Sequence, residues 1–166
     1  MMNCSTYTGS ALPERMLKYK MLAEAFSYPK EEGLQLEYDR LFRQGEVWLY
    51  GLEYAIENEF QRAQGLADIN GFYRAFGLET DKERPDSLVC ELEFMHYLIF
   101  KELKAPNEEK AWVCYDAQKK FFSAYLLPAA KSITEKILER TQDKFYRNNA
   151  QELLMFLEKE SEALKV

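Results

Sequence analysis

The chain has 166 residues, of which 47% are hydrophobic and 14% aromatic, so it is long enough for one buried core and is not intrinsically disordered. Its net charge of −6 makes nucleic acid a poor partner, because phosphate binding needs a basic surface, whereas basic peptides are tolerated. We predict a cytoplasmic protein, because its three cysteines are scattered and it begins without an apolar leader. We predict no membrane span, because no run of about 20 apolar residues occurs.

Apolar residues recur at helical spacing through the first half of the chain. Each run of apolar residues ends before a proline or glycine, which are residues that favour helix ends. Four helices are therefore predicted, over residues 12–26 before Pro29, 34–42 before Gly45, 48–60 before Gly65 and 66–76 before Gly77.

A charged loop over residues 78–85 follows and is closed by Pro85. Asp86 or Ser87 can cap the next helix, which is predicted to run to about residue 104. The remaining helices are expected from a cap at Asn107, an interruption or restart at Pro128, and apolar residues at 133–137 and 145–157. No alternating strand pattern is present. The chain is predicted to be all-α, a single compact bundle of about seven to eight helices at residues 12–166 after a frayed segment at 1–11.

The helix after Pro85 is apolar nearly all round, which is typical of a central, buried helix. At about 100° per residue, one face carries Leu88, Leu92, Met95 and Ile99. The same spacing aligns a second, mixed face of Asp86, Cys90, Glu93 and Tyr97.

Acidic residues inside such a helix need partners, because a buried carboxylate is costly alone. Glu91 lies at the edge of the core face and is predicted to brace a neighbouring helix as a satisfied, partly buried acid. Glu93 is expected to pair with Asp86, either as a cap with an internal salt bridge or as an acidic cleft for an arginine. Tyr73 and Phe76 are expected either to belong to the core or to form the walls of a peptide groove.

The sequence offers no catalytic set. The single histidine, His96, lies about 13 Å along the helix axis from Ser87 and roughly on the opposite face, so the two cannot pair. A hydrolase built around Asp86, Ser87 and His96 is therefore disfavoured. No phosphate loop and no Cys/His metal cluster occur, so no enzyme activity, cofactor or metal is expected.

Several segments together resemble the TorD/DmsD/NarJ family of chaperones that mature molybdenum-containing redox enzymes. The similarity is strongest in GFYRAFGLE at 71–79 and ERPDSLVCELEFM at 83–95, and it extends more thinly over most of the chain. Ser87 stands where the family often has a histidine, and Tyr125 and Ala129 depart from a common His-Leu-x-Pro-Trp pattern.

The resemblance implies an all-helical, non-catalytic cytoplasmic chaperone. Its partner would be the apo catalytic subunit of a molybdopterin oxidoreductase, bound through its N-terminal segment or twin-arginine signal peptide until the cofactor is inserted. Members of the family are monomers or helix-exchanged dimers, and the loop at 78–85 is a possible hinge. The alternative is a helical adaptor that binds no signal peptide. The predicted peptide-binding residues are Asp86, Ser87, Glu93, Tyr97, Tyr73 and Phe76, with structural roles for Glu91, Gly77 and Pro85.

Overall fold

The computed structural model describes residues 11–80 and 83–166, which form helices and no β-strand. The all-α prediction is confirmed. Most of the predicted frayed segment and residues 81–82 of the predicted loop lie outside the described residues. None of the described helices is long and apolar enough to cross a membrane.

Eight α-helices are formed by the described residues: α1 (Ala11–Phe26), α2 (Glu32–Tyr38), α3 (Leu52–Ala55), α4 (Glu59–Ala75), α5 (Leu88–Leu103), α6 (Glu108–Phe121), α7 (Leu127–Arg140) and α8 (Lys144–Leu164).

Several predicted helix ends are confirmed by the backbone. Gly77 follows α4 with φ of +75°, a left-handed conformation that glycine adopts without a steric cost. The side chain of Asn107 caps α6 by accepting a hydrogen bond from Lys110 N at 2.9 Å. Pro128 lies in the first turn of α7, directly after a π-helical turn at Phe122–Leu126, so the helix restarts there.

The prediction of a helix over residues 48–60 that ends at Gly65 is wrong. Only the short α3 forms in that stretch, and α4 starts after Asn58, whose side chain accepts hydrogen bonds from two backbone N–H groups. Gly65 lies inside α4, where an added Cβ would be 2.9 Å from Leu52 Cδ1. The glycine therefore permits close packing of α4 on α3 instead of ending a helix.

Helix α5 lies at the centre of the core, as its composition predicts. Its four core-face residues, Leu88, Leu92, Met95 and Ile99, are fully buried. Helices α1 and α6 pack directly against it. Burying four large apolar side chains stabilises the fold by about 1.5–3 kcal/mol for each side chain relative to leaving it exposed.

The start of α5 is fixed by contacts with a distant segment. Ser87 has an extended backbone and forms an isolated antiparallel bridge with Tyr50. The Gly51 N–H donates to Asp86 O at 3.0 Å, and the Leu52 N–H donates to Asp86 Oδ2 at 3.1 Å. Asp86 therefore precedes α5 and turns toward α3, so the prediction that it shares a helical face with Glu93 is wrong.

A buried polar network joins four helices. Arg15 on α1 makes two hydrogen bonds to Glu160 on α8, at 2.7 and 2.9 Å, and Tyr19 donates to the same carboxylate at 2.7 Å. Arg15 also donates to Gln118 on α6 at 3.1 Å, and Gln118 donates to Glu102 on α5 at 2.6 Å. Paired charges of this kind tolerate burial because each lone pair and proton finds a partner.

Glu160→Gln is expected to destabilise the protein by about 3–5 kcal/mol, because it leaves the buried Arg15 guanidinium without its counter-charge. The matched control is Glu152→Gln, which removes the exposed Lys18–Glu152 pair between the same two helices and should cost less than about 1 kcal/mol. Chemical denaturation of both variants measures the two costs. Similar small losses would contradict an essential role for the buried pair.

Candidate functional site

A groove of about 570 Å³ opens between α1, the C-terminal end of α4 and α5. We call it the α1–α5 groove. Its volume lies in the range of small-molecule and side-chain pockets. Among the described residues, its wall is formed by Tyr73, Leu78, Val89, Phe94 and Tyr97, with Thr80 and Cys90, and its charged and polar rim is formed by Glu79, Glu83, Glu93, Lys20 and His96.

The mixed face of α5 forms one side of this groove. Cys90, Glu93 and Tyr97 follow one another at spacings of three and four residues, so they share a face, as predicted. The thiol of Cys90 is half-buried, and burial, together with the negative charge of Glu83, raises its pKa to about 11. Cys90 therefore stays protonated at neutral pH and contributes a neutral wall.

The structure places half of the predicted peptide-binding residues on the groove. Tyr73, Glu93 and Tyr97 line it. Phe76 does not, but it packs edge-on against Phe94 at a centroid distance of 6.0 Å, and its carbonyl accepts a hydrogen bond from the Tyr97 hydroxyl at 3.3 Å. Phe76 thus lies behind the wall that Phe94 and Tyr97 form.

Asp86 and Ser87 are buried and do not line the groove. Asp86 accepts two hydrogen bonds from Arg84, at 3.0 and 2.9 Å, so its charge is already matched inside the protein. The predicted pairing of Asp86 with Glu93 is wrong. Glu93 instead lies 3.6 Å from Lys20 on α1.

Tyr73 connects the groove to the segment that precedes α5. Its ring lines the groove, while its hydroxyl donates to the Pro85 carbonyl at 2.6 Å. Burial raises the pKa of this phenol, and the nearby Glu91 adds to the shift, so Tyr73 remains a hydrogen-bond donor at neutral pH. This hydrogen bond therefore joins the wall of the groove to the turn at Pro85.

A second cavity, of about 370 Å³, contains an ion network that the sequence reading missed. Arg84 pairs with both Asp86 and Glu53, and Arg62 also pairs with Glu53. The Arg84 guanidinium lies 4.5 Å from the centroid of the Tyr50 ring, and its hydrogen bond lowers the pKa of Glu53. Arg84 lies 31 residues from Glu53 in the chain and Arg62 lies nine residues from it, so helical spacing carries no signal for these two pairs.

Glu91 is fully buried, and its Oε2 atom has no hydrogen-bond partner among the described residues. The expectation of a satisfied, partly buried acid is wrong, since no cation from the described part of the chain pairs with it. Burial, together with the negative charge of Asp86, raises the pKa of Glu91 well above its ordinary value.

His96 lies on the groove but has a structural contact. Its Nδ1 atom is 2.8 Å from the Met16 carbonyl oxygen, so it ties α5 to α1. Within residues 11–80 and 83–166, it makes no hydrogen bond to a serine or cysteine, and no three metal-ligating side chains converge.

Two comparisons with known proteins bear on this groove. The family model described as "Nitrate reductase delta subunit" matches residues 11–135, about three quarters of the chain, and includes every groove-lining residue named above. The perchlorate reductase assembly chaperone protein of Dechloromonas aromatica (strain RCB) is 32% identical over 85 residues. That match covers 49% of this chain and only 38% of the relative's length. The family resemblance drawn from the sequence is confirmed.

Glu91→Gln is expected to stabilise the protein at neutral pH. Because the folded-state pKa of Glu91 is raised, its contribution to stability is full below the unfolded-state pKa of about 4.5 and is lost as pH rises toward the folded-state pKa. Each unit of that shift corresponds to about 1.4 kcal/mol. Glutamine needs no proton, so the gain should be largest near pH 7 and should vanish near pH 4.

The measurement is the free energy of unfolding of both proteins across that pH range. A change in stability on Glu91→Gln that is equal at pH 4 and pH 7 would contradict a raised folded-state pKa of Glu91.

Proposed function

This chain belongs to the nitrate reductase delta subunit family, and we propose that it is a cytoplasmic chaperone for assembly of a reductase catalytic subunit. The α1–α5 groove would bind the N-terminal segment of the apo catalytic subunit, including a twin-arginine signal peptide where the subunit carries one. Holding that segment delays export until the molybdenum cofactor is inserted. The similar protein from Dechloromonas aromatica, an assembly chaperone by name, supports this role.

The observation that carries the proposal is the chemistry of the groove. Its rim has the carboxylates of Glu79, Glu83 and Glu93, and its wall is aromatic and apolar. A segment with arginines beside apolar residues complements both parts, because a guanidinium bonds carboxylates and stacks on aromatic rings. The net charge of −6 attracts the same ligand over longer distances.

Glu93 is the best-placed acid for an incoming arginine. It lies on α5 between the levels of Cys90 and Tyr97, and half of its side chain is exposed to solvent. Its neighbour Tyr97 offers a ring within the same wall. By contrast, the two acids that precede α5 on the other side, Asp86 and Glu53, are already bound by Arg84. Glu93 can therefore bind a ligand cation without the loss of a contact that anchors the fold.

We expect Glu93→Lys to weaken binding of a peptide with two consecutive arginines and a following apolar stretch by at least about tenfold, which is about 1.4 kcal/mol. The variant replaces an attraction with a repulsion on the rim of the groove. The matched control is Glu139→Lys on α7, because Glu139 has the same exposure, 49% against 50%, and also pairs with a lysine. Isothermal titration calorimetry measures the affinity.

Both variants change the net charge equally, so any long-range effect on the peptide cancels between them. Circular dichroism should show unchanged helicity in both. Equal affinities of the two variants would exclude the groove as the binding site. Failure of the wild-type chain to bind the peptide at all would favour the alternative of an adaptor that recognises another part of its partner.

A further inference from the structure

We propose that Lys20 is a built-in competitor of the ligand: its ammonium group holds the place at Glu93 that a ligand cation takes, and it must leave when a basic segment binds. This inference rests on the proposed function, since it concerns the same groove. It assigns to Lys20 the role of setting how strongly cationic a segment must be to enter.

The geometry of the Lys20–Glu93 contact is that of a loose, replaceable pair. The two charged atoms, Nζ and Oε1, are 3.6 Å apart, which is too long for a hydrogen bond. This is the longest ion pair between described residues. Both side chains are close to half exposed, so the pair contributes less than about 1 kcal/mol and breaks easily.

The position of Lys20 lets it compete with a ligand cation for Glu93. It projects from α1, while Glu93 belongs to α5, so the pair lies across the groove. Among the described lining residues, Lys20 is the only lysine or arginine. The other two rim acids, Glu79 and Glu83, form no ion pair with any residue in the described part of the chain. A cation that binds at Glu93 therefore has to displace Lys20, the lysine that already faces this carboxylate.

The chemistry of the two cations favours exchange by arginine. A lysine ammonium is a point charge on a flexible stem and can withdraw into solvent, where it is strongly hydrated. A guanidinium binds a carboxylate with two parallel hydrogen bonds and stacks on a ring such as that of Tyr97. A segment with paired arginines gains enough to displace Lys20, whereas a weakly basic segment does not. The apparent affinity for the basic segment is therefore proportional to the fraction of protein molecules in which Glu93 is not paired with Lys20.

The test compares Lys20→Gln with Lys136→Gln. Both remove one positive charge from a lysine of similar exposure, 43% and 40%, that pairs with a half-exposed glutamate, but Lys136 lies on α7 outside the groove. The probe is the two-arginine peptide described above, together with a version in which both arginines are glutamine. Calorimetry should show about three- to fivefold tighter binding of the two-arginine peptide to Lys20→Gln than to Lys136→Gln.

Four further outcomes are decisive. The neutral peptide should bind both variants equally, and Lys20→Gln should have no effect in a Glu93→Gln background, because the competition needs the carboxylate. Equal or weaker binding of the two-arginine peptide by Lys20→Gln would overturn the competitor role while leaving the proposed function intact. Absence of binding by the wild type and by Lys20→Gln would overturn the proposed function itself.

Discussion

The burial of α5 on nearly all sides is the constraint on which the other helices depend. Its core face, from Leu88 to Ile99, requires apolar cover that α1 and α6 supply, and α8 is tied to α1 by the buried Arg15–Glu160 pair. The cover is incomplete along the face that carries Glu93. The α1–α5 groove therefore lies along the part of α5 that the other helices leave uncovered. The packing that stabilises the protein also holds the walls of this groove in place.

The turn before α5 decides which acid faces the groove. Because Ser87 pairs with Tyr50 in an extended conformation, the helix cannot begin at Asp86. Asp86 instead receives hydrogen bonds from Arg84 and from a backbone N–H of α3. The carboxylate of Asp86 anchors the helix start, and Glu93, seven residues further along the chain, remains for the groove.

Helical geometry made the local part of this arrangement predictable. A rotation of about 100° per residue placed the buried face of α5 and the shared face of Cys90, Glu93 and Tyr97 correctly. The same rule failed at Asp86, because pairing with a segment about 35 residues away sets where the helix begins. The rotation rule also gives no information about Lys20, because this residue reaches Glu93 only through the packing of α1 on α5. Contacts of this kind depend on tertiary packing and leave no periodic signal in the chain.

Two glutamates two residues apart on α5 lie in opposite environments, one in the core and one on the groove. Their side chains point about 200° apart, so Glu91 enters the core while Glu93 enters the groove. In the core no cation of the described residues pairs with Glu91, and burial raises the pKa of its carboxyl. In the groove, water and the loose contact with Lys20 meet the charge of Glu93. Because its partner is loose and half of its side chain is exposed, the Glu93 carboxylate can exchange Lys20 for a ligand cation at little cost, as the proposed binding of a basic segment requires.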